Sequence, residues 1–216
     1  MNGTPPVTKN LLIINVLFFL ADFVLGQRGV NLTSLFGLYF FGMDGYFHIW
    51  QPITYMFMHG SLSHIFFNMF ALWMFGRILE SVWGGRRFLI YYMVCGVGAA
   101  LLQELVQLLS FLHSVNTGIV DYSILAPTVG ASGAVYGILL AFAMLFPNER
   151  MFIFPLPMPI KAKYFVAFFF VLELFSGFAV SDNVAHFAHL GGMLFGWALI
   201  IYWRRKARYG GNFRRF

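Results

Sequence analysis

Two residues of this chain have the types and the setting that nucleophilic catalysis requires. Ser132 lies in the sequence Gly130-Ala131-Ser132-Gly133 at the start of an apolar segment, and His189 lies near the start of another. A serine hydroxyl becomes an effective nucleophile when a neighbouring neutral histidine takes its proton. The pair predicts acyl-transfer chemistry, provided that the fold brings the two side chains together.

His64 and Asn68 could meet the second requirement of that chemistry, which is stabilisation of a negatively charged tetrahedral intermediate. They are four residues apart in the sequence, so a helix would place them on one face. The candidate donors are the His64 ring, the Asn68 amide and the backbone N–H of Ser132. Tyr136, one helical turn after Ser132, could stack on His189 and hold its ring.

The elements that must position these residues are transmembrane helices. Sixty per cent of the 216 residues are hydrophobic and ten per cent are charged, which is outside the range of soluble domains. A helix needs about 20 apolar residues to cross a bilayer, and it satisfies its own backbone hydrogen bonds there. We therefore expect an all-α membrane protein with six transmembrane helices in one bundle. The six apolar segments cover residues 10–26, 62–79, 88–110, 132–146, 162–180 and 185–203.

The distribution of basic residues predicts the orientation. With a cytoplasmic N-terminus, thirteen of the fourteen lysines and arginines lie inside and only Arg28 lies outside, as the positive-inside rule expects. The chain then consists of a cytoplasmic N-terminus (1–9), a membrane domain (10–203) and a basic cytoplasmic tail (204–216). We expect this tail to contact lipid headgroups and not nucleic acid. A signal peptide over 1–26 is less favoured, because no small-residue cleavage site follows the apolar run.

Residues 30–58 predict a loop embedded in the outer leaflet, not another span. Asp44 and several glycines interrupt the apolar run, and an extra crossing would move the basic cluster at 77–87 to the outside. Aromatic side chains commonly anchor such segments at the membrane interface. The expected anchors are Tyr39, Tyr46 and Trp50.

Counting along the predicted helices places the two candidate catalytic residues at one depth. Ser132 precedes Phe146, at the inner end of its helix, by fourteen residues, and His189 precedes Trp203 by the same number. At a rise of 1.5 Å per residue, both lie about 21 Å above the inner boundary. Gly133 begins a small-residue face beside Ser132, and such faces let transmembrane helices approach closely.

Intramembrane polar residues indicate a wet cavity that is open to the outside. Asp22, Glu104 and Glu173 lie near the outer ends of their predicted helices, whereas the inner segments 139–146 and 195–203 contain no charged residue or histidine. Ionisable groups in a membrane face the bundle interior or water. Hydrolysis needs that water, whereas a channel or a transporter needs a path through the membrane, which the pattern does not indicate.

The motifs together resemble those of the rhomboid intramembrane serine proteases over nearly the whole chain. The matching segments are His64-Ile65-Phe66-Phe67-Asn68, Gly130-Ala131-Ser132-Gly133 with Tyr136, and Ala188-His189-Leu190-Gly191-Gly192. The resemblance implies a catalytic dyad of Ser132 and His189, with His64 and Asn68 helping to bind the oxyanion. Supporting residues would be Tyr136, Gly130 and Gly133.

The resemblance also implies the reaction and its setting. The expected activity is cleavage of transmembrane segments of other membrane proteins near the outer leaflet, without a cofactor or a metal. The six helices and the basic tail fit a bacterial plasma membrane. Helix 162–180 is the expected lateral gate, with the loop 177–184 as a cap. One departure is Trp50-Gln51, where many bacterial members carry Trp-Arg.

Other histidines and acids compete for roles in the site. His186 and His189 are three residues apart, so spacing alone does not choose the base, but depth and the family motif favour His189 and leave His186 at the interface. Asp182, the acidic residue nearest to His189 in sequence, belongs to the preceding loop, so we expect a dyad without an acidic third member. The histidines expected in outer loops are His48, His59 and His113.

Two other classes of function stay open. His64, His186 and His189 could bind a metal or haem, although the chain lacks a His-Glu-x-x-His motif. A rhomboid-like protein without activity could bind transmembrane helices without cutting them. Loss of Ser132 or His189 would indicate that class, and both residues are present. The sequence does not predict an oligomeric state.

Overall fold

The computed structural model describes residues 3–119, 125–151, 158–179 and 185–209, and this part of the chain is mostly helical. The helices are α1 (Pro6–Gly26), α2 (Leu32–Phe36), α3 (Gln51–Thr54), α4 (Leu62–Trp83), α5 (Gly85–Thr117), α6 (Ser132–Leu145), α7 (Ala162–Ala179) and α8 (His186–Tyr209). A helix therefore lies at each of the six apolar segments. Within the described ranges, α1, α4 and α5 are the helices long and apolar enough to cross a membrane.

Two short non-α elements accompany the helices. A 3₁₀ turn at Tyr55–Phe57 follows α3, and strand β1 (Arg150–Met151) pairs antiparallel with β2 (Ile160–Lys161) between α6 and α7. We expected helices only. Strands of two residues are too short to produce the alternating pattern that identifies a strand in a sequence.

Four helices, α1, α4, α5 and α8, are longer than predicted. α5 has 33 residues and extends beyond the predicted segment 88–110 at both ends, which makes it about 50 Å long. Its last turns contain His113, so the expectation of a loop position for this residue is wrong. α1 begins at Pro6, because a proline in the first turn lacks only an N–H that has no helical partner there.

The start of α1 is fixed by a buried glutamate of α4. Glu80 accepts hydrogen bonds from the Val7 N–H at 2.9 Å, the Thr8 N–H at 2.7 Å and the Thr8 hydroxyl at 2.7 Å. The first N–H groups of a helix have no partner within the helix and favour a negative charge. Glu80 is only 3% exposed, so this carboxylate ties α1 to α4 inside the bundle.

Helix α4 contains a π-helical segment, Leu72–Gly76, between two α-helical halves. A π turn adds a residue to one turn and so changes which face of the following half points inward. In the half before it, the buried residues are Ile65 and Asn68. That half carries the His64–Asn68 motif into the bundle.

The Gln51 side chain forms hydrogen bonds to the backbone of the segment between α1 and α4. Its side chain is fully buried, accepts from the Tyr39 N–H at 3.2 Å and donates to the Tyr46 carbonyl at 2.9 Å. A neutral amide can accept and donate at once, which explains how glutamine fits this position. Of the expected interfacial anchors, Tyr46 and Trp50 are exposed, whereas Tyr39 is buried.

The same segment is attached to the bundle at two further points. Glu104 of α5 accepts from the Phe41 N–H at 2.9 Å. Leu38 and Thr128 form an antiparallel bridge, with N–H to O distances of 2.9 and 2.8 Å. Because Thr128 comes just before α6, this bridge connects the loop to the backbone that leads into Ser132.

Helices α6 and α8 meet backbone to backbone. A Cβ placed on Gly192 would lie 1.8 Å from the carbonyl oxygen of Gly133, and one placed on Gly137 would lie 3.0 Å from the carbonyl oxygen of Gly192. Only glycine fits where two helices approach this closely. The small-residue faces predicted from the sequence thus bring the starts of α6 and α8 together.

Candidate active site

Ser132 and His189 are in direct contact. Ser132 is the first residue of α6, and His189 lies in the first turn of α8. The distance between His189 Nε2 and Ser132 Oγ is 2.8 Å, within the range of a hydrogen bond. The serine hydroxyl donates this bond when Nε2 carries no proton, which is the arrangement that general-base chemistry requires.

Tyr136 packs against the imidazole of His189. The two rings are stacked, with centroids 4.3 Å apart and an angle of 9° between their planes. Tyr136 is one turn after Ser132 on α6, so one helix supplies both the hydroxyl and the ring that faces the histidine. The predicted stacking of these two residues is confirmed.

Gly130 shapes the space between Ser132 and His64. Its φ of +123° is a conformation that side chains disfavour. A Cβ at this position would lie 2.6 Å from His64 Nε2, 2.8 Å from His64 Cε1 and 3.6 Å from Ser132 Oγ. Glycine is therefore needed for its backbone and for its size, and the His64 ring lies beside the serine.

Asn68 is buried on the same face of α4 as His64. Its side-chain amide donates to the backbone carbonyl of His64 at 2.9 Å. An amide nitrogen has two N–H groups, so this bond leaves one of them for another acceptor. The structure thus places the His64 ring beside Gly130 and Ser132, whereas the Asn68 side chain is bonded to the backbone of its own helix one turn further along.

His59 is a buried histidine behind His64. The two rings are edge to face with centroids 5.0 Å apart. His59 is 3% exposed and neither ring nitrogen has a hydrogen-bond partner among the described residues. Burial, and secondly the neighbouring His64, lower the pKa of His59 from its ordinary 6.5 to about 4, so the ring is neutral. His59 lies in the loop before α4, as the sequence predicts, but its side chain is buried.

Glu173 of α7 lies beside the imidazole nitrogen of His189 that faces away from Ser132. Its Oε2 is 2.9 Å from His189 Nδ1 and 2.6 Å from His186 Nδ1. The His186 contact is a hydrogen bond, whereas the His189 contact is an ion-pair distance without hydrogen-bond alignment. The Tyr136 hydroxyl donates to the other carboxylate oxygen, Oε1.

One expectation about this cluster is wrong. We expected no acidic residue next to His189, but Glu173 is there, because α7 packs against α6 and α8. His186, which we expected at the membrane interface, contacts the same Glu173 oxygen as His189. Asp182, the acid considered from the sequence, lies outside the described residues. The available signal was Glu173 itself, the sole acidic residue of a phenylalanine-rich apolar segment.

Comparison with known proteins identifies the family. The model of the rhomboid domain matches residues 46–206, about three quarters of the chain. The chain belongs to the rhomboid family. Rhomboid protease GluP of Bacillus subtilis (strain 168) is 29% identical to this rhomboid over 197 residues, which cover 90% of this chain and 34% of that protein.

Two further relatives show the breadth of the family. Rhomboid protease AarA of Providencia stuartii is 27% identical over 205 residues, which cover 90% of this chain and 71% of that protein. Rhomboid protein 1, mitochondrial, of Saccharomyces cerevisiae is 33% identical over 147 residues, covering 65% of this chain and 39% of that protein. This rhomboid therefore spans between a third and two fifths of the length of GluP and of the yeast protein. Its family and its apolar helices make it an integral membrane protein.

The cluster of Glu173, His186 and His189 also has the residue types of a metal site. Its three candidate ligand atoms lie within 4.8 Å of one another. A tetrahedral ion with bonds of 2.0–2.1 Å would hold its ligand atoms about 3.3 Å apart. The observed separations of 2.6 and 2.9 Å from the carboxylate oxygen are shorter than this and match hydrogen bonds and ion pairs. The geometry therefore favours hydrogen bonds and ion pairs over coordination of a metal ion.

Proposed function

We propose that this rhomboid is an intramembrane serine endopeptidase that cleaves transmembrane segments of membrane proteins with Ser132 and His189. The observation that carries the proposal is the 2.8 Å contact between His189 Nε2 and Ser132 Oγ at the starts of two apolar helices. The protease names of GluP and AarA support the same reaction class.

The reaction follows from this contact. His189 Nε2 takes the hydroxyl proton while Ser132 Oγ attacks the scissile carbonyl carbon, and the carbonyl oxygen becomes an oxyanion. The tetrahedral intermediate collapses, His189 gives the proton to the leaving amine, and an acyl ester on Ser132 remains. Water then attacks the ester with the same base, which regenerates the serine and releases the carboxylic acid.

Three donors are proposed for the oxyanion. As the first residue of α6, Ser132 has a backbone N–H without an intrahelical acceptor. The His64 ring borders the same space at Gly130, and Asn68 has a second amide N–H. Removing one such donor from a serine protease costs about 3–4 kcal/mol in the transition state.

The topology we propose places this chemistry in the outer leaflet. Six spans would run from a cytoplasmic N-terminus (1–9) through the membrane domain (10–203) to a cytoplasmic tail (204–216), with the loop 30–58 embedded outside. α6 has 14 residues and is about 21 Å long, so Ser132 at its start would lie below the membrane surface, where a cavity must admit water. We propose a bacterial plasma membrane as the location.

The proposed substrates are transmembrane helices that unwind easily. A helix in lipid keeps its peptide bonds in hydrogen bonds and must open locally before a nucleophile can attack. Segments with glycine, proline or small residues near the outer end of the span meet this condition. Substrates whose cleavage sites all lie in leucine-rich helix centres would contradict this part of the proposal.

Helix α7 is the proposed lateral entrance for these substrates. Phe168, Phe175 and Phe178 on this helix are exposed apolar side chains of the kind that faces lipid or another helix. Most of the expected cap, 177–184, lies outside the described residues. A disulfide or chemical crosslink that joins α7 to α4 should block cleavage of a transmembrane substrate, and full activity after crosslinking would reject the entrance.

The test of the proposed function is cleavage of a single-span substrate by purified protein in detergent. Wild type, Ser132→Ala and His189→Ala are compared side by side. Product from wild type alone is expected, because each substitution removes half of the nucleophile–base pair. Equal product from all three proteins would reject the assigned residues, and binding of the substrate without product from wild type would instead favour the silent rhomboid-like binder.

A further inference from the structure

We infer that Glu173 is the third member of the site, a positioning residue that fixes the protonation and the orientation of His189. The inference rests on the proposed function and extends it. The structure brings Glu173 Oε2 to 2.9 Å from His189 Nδ1 while His189 Nε2 is 2.8 Å from Ser132 Oγ. One imidazole thus lies between the hydroxyl of one helix and the carboxylate of another.

The position of Glu173 first determines the tautomer of His189. A neutral imidazole has one nitrogen with a proton and one without, and the base must present the unprotonated nitrogen to Ser132. An ionised carboxylate can only accept hydrogen bonds, so its position beside Nδ1 favours the proton there. Nε2 is then left free to accept the serine proton.

Glu173 also supplies a counter-charge for His189 during the reaction. When Nε2 takes the serine proton, His189 becomes a cation in a site where its side chain is 10% exposed and that of Glu173 is 6% exposed. A cation removed from water needs a counter-charge nearby, and Glu173 supplies it without taking the Nδ1 proton. The proton taken from Ser132 Oγ moves to Nε2 and then to the leaving nitrogen, so the carboxylate stays ionised throughout.

Two neighbouring side chains hold the Glu173 carboxylate in place. Oε1 accepts from the Tyr136 hydroxyl and Oε2 accepts from His186 Nδ1 at 2.6 Å. Tyr136 also stacks on the His189 ring, so the residue that fixes the plane of the imidazole also fixes its counter-charge. The cluster connects α6, α7 and α8.

The contact between Glu173 and His189 links the position of α7 to catalysis. Ser132 and His189 lie on α6 and α8, whereas the carboxylate lies on α7, the proposed entrance. Displacement of α7 would separate Glu173 from His189 and leave the imidazole without its partner. Full activity therefore requires α7 to be closed against α6 and α8 during the chemical steps.

The test uses Glu173→Gln, which keeps the size of the side chain and removes its charge. We expect kcat to fall by about 10²- to 10⁴-fold, the range seen when the acid of a serine protease site is neutralised, while KM stays within about two-fold. Glu173→Asp should recover part of the lost kcat. Glu104→Gln is the matched control, because Glu104 is also buried in a long helix but contacts the Phe41 N–H.

A second readout is independent of cleavage. ¹⁵N NMR of labelled histidine, assigned by comparison with His189→Ala, reports which ring nitrogen of His189 carries the proton. A protonated Nδ1 in wild type, lost or mixed in Glu173→Gln and kept in Glu104→Gln, supports the inference. A proton on Nε2 in wild type overturns it, even if Glu173→Gln fails to fold.

The two proposals fail in distinguishable ways. If wild type cleaves no substrate but shows the Nδ1 tautomer that depends on Glu173, the proposed function fails and the positioning role stands. If wild type cleaves and Glu173→Gln keeps kcat within about three-fold, the positioning role fails and the protease stands.

Discussion

Two buried glutamates of this rhomboid have the same number of polar contacts, but the groups that make these contacts differ in their chemistry. Glu80 accepts two backbone N–H groups and one hydroxyl at the start of α1. Glu173 accepts from a tyrosine and a histidine, and lies beside the nitrogen of a second histidine. The partners of Glu80 keep their protons at all ordinary pH values, whereas imidazoles exchange theirs. The partners of a buried carboxylate therefore indicate whether it stabilises the fold or takes part in proton-transfer chemistry.

Apart from Glu173 itself, the largest effect is expected at Gly130, which lies beside His64 and Ser132 in the active site. Gly130→Ala should lower kcat/KM by at least about 100-fold, because the added methyl would collide with His64 and the φ of +123° would become strained. The measurement is cleavage of a single-span substrate. Gly45→Ala is the matched control, since Gly45 also has positive φ, +82°, but has open space around its Cβ position. Equal losses in both variants would show that strain alone is responsible.

Substitution of Glu80 should affect the stability of the protein and not its catalysis. Glu80→Gln should destabilise the protein by about 2–4 kcal/mol, because hydrogen bonds from three donors to a buried charge are weakened. The kcat of the folded fraction should not change. Thermal unfolding in detergent and active-site titration measure the two quantities. Glu173→Gln should instead lower kcat and leave the stability nearly unchanged. If both variants change stability and kcat in the same way, the distinction between the two glutamates is wrong.

His59 makes the stability of the protein sensitive to pH. Burial lowers the pKa of His59 to about 4, so the folded state keeps the ring neutral while the unfolded chain binds a proton below its ordinary pKa of 6.5. His59 makes its full contribution to the free energy of unfolding above pH 6.5. This contribution, up to about 3 kcal/mol, is lost as the pH falls towards 4.

A pH series of unfolding midpoints for wild type and His59→Phe measures this effect. The variant lacks the titrating ring, so its stability should fall less between pH 6.5 and pH 4. Parallel curves for the two proteins would mean that His59 is not the group responsible.

The smallest effect is expected from Tyr136→Phe. This change keeps the ring stacked on His189 and removes only the hydroxyl that donates to Glu173. Loss of one hydrogen bond of about 1 kcal/mol should lower kcat about five-fold. In a Glu173→Gln background the same change should add little, because the two residues act through one contact. If Tyr136→Phe lowers kcat by the same factor in both backgrounds, Tyr136 does not act through Glu173.

The sequence predicted the helices and the central contact because both depend on short, regular patterns. Apolar runs identify helices, and equal distances from the inner helix ends placed Ser132 level with His189. The glycines of α6 and α8 then indicated a close approach, and the Tyr136 stacking followed from one helical turn. These inferences need only the rise and periodicity of a helix.

The features that the sequence did not predict depend on rotation and on contacts between distant segments. The position of Glu173 beside His189 requires the rotation of α7 about its axis, which a run of phenylalanines does not specify. The π segment Leu72–Gly76 and the burial of Gln51 likewise follow from packing. The roles of Ser132 and His189 in catalysis stay predictions until activity is measured.

Covalent labelling with a fluorophosphonate, which reacts with activated serines, tests directly whether His189 activates Ser132. We predict one adduct, located on Ser132 by mass spectrometry, that disappears in Ser132→Ala and is strongly reduced in His189→Ala. Glu104→Gln should label like wild type. An adduct on another residue, or equal labelling of Ser132 with and without His189, would contradict the claim that His189 activates Ser132.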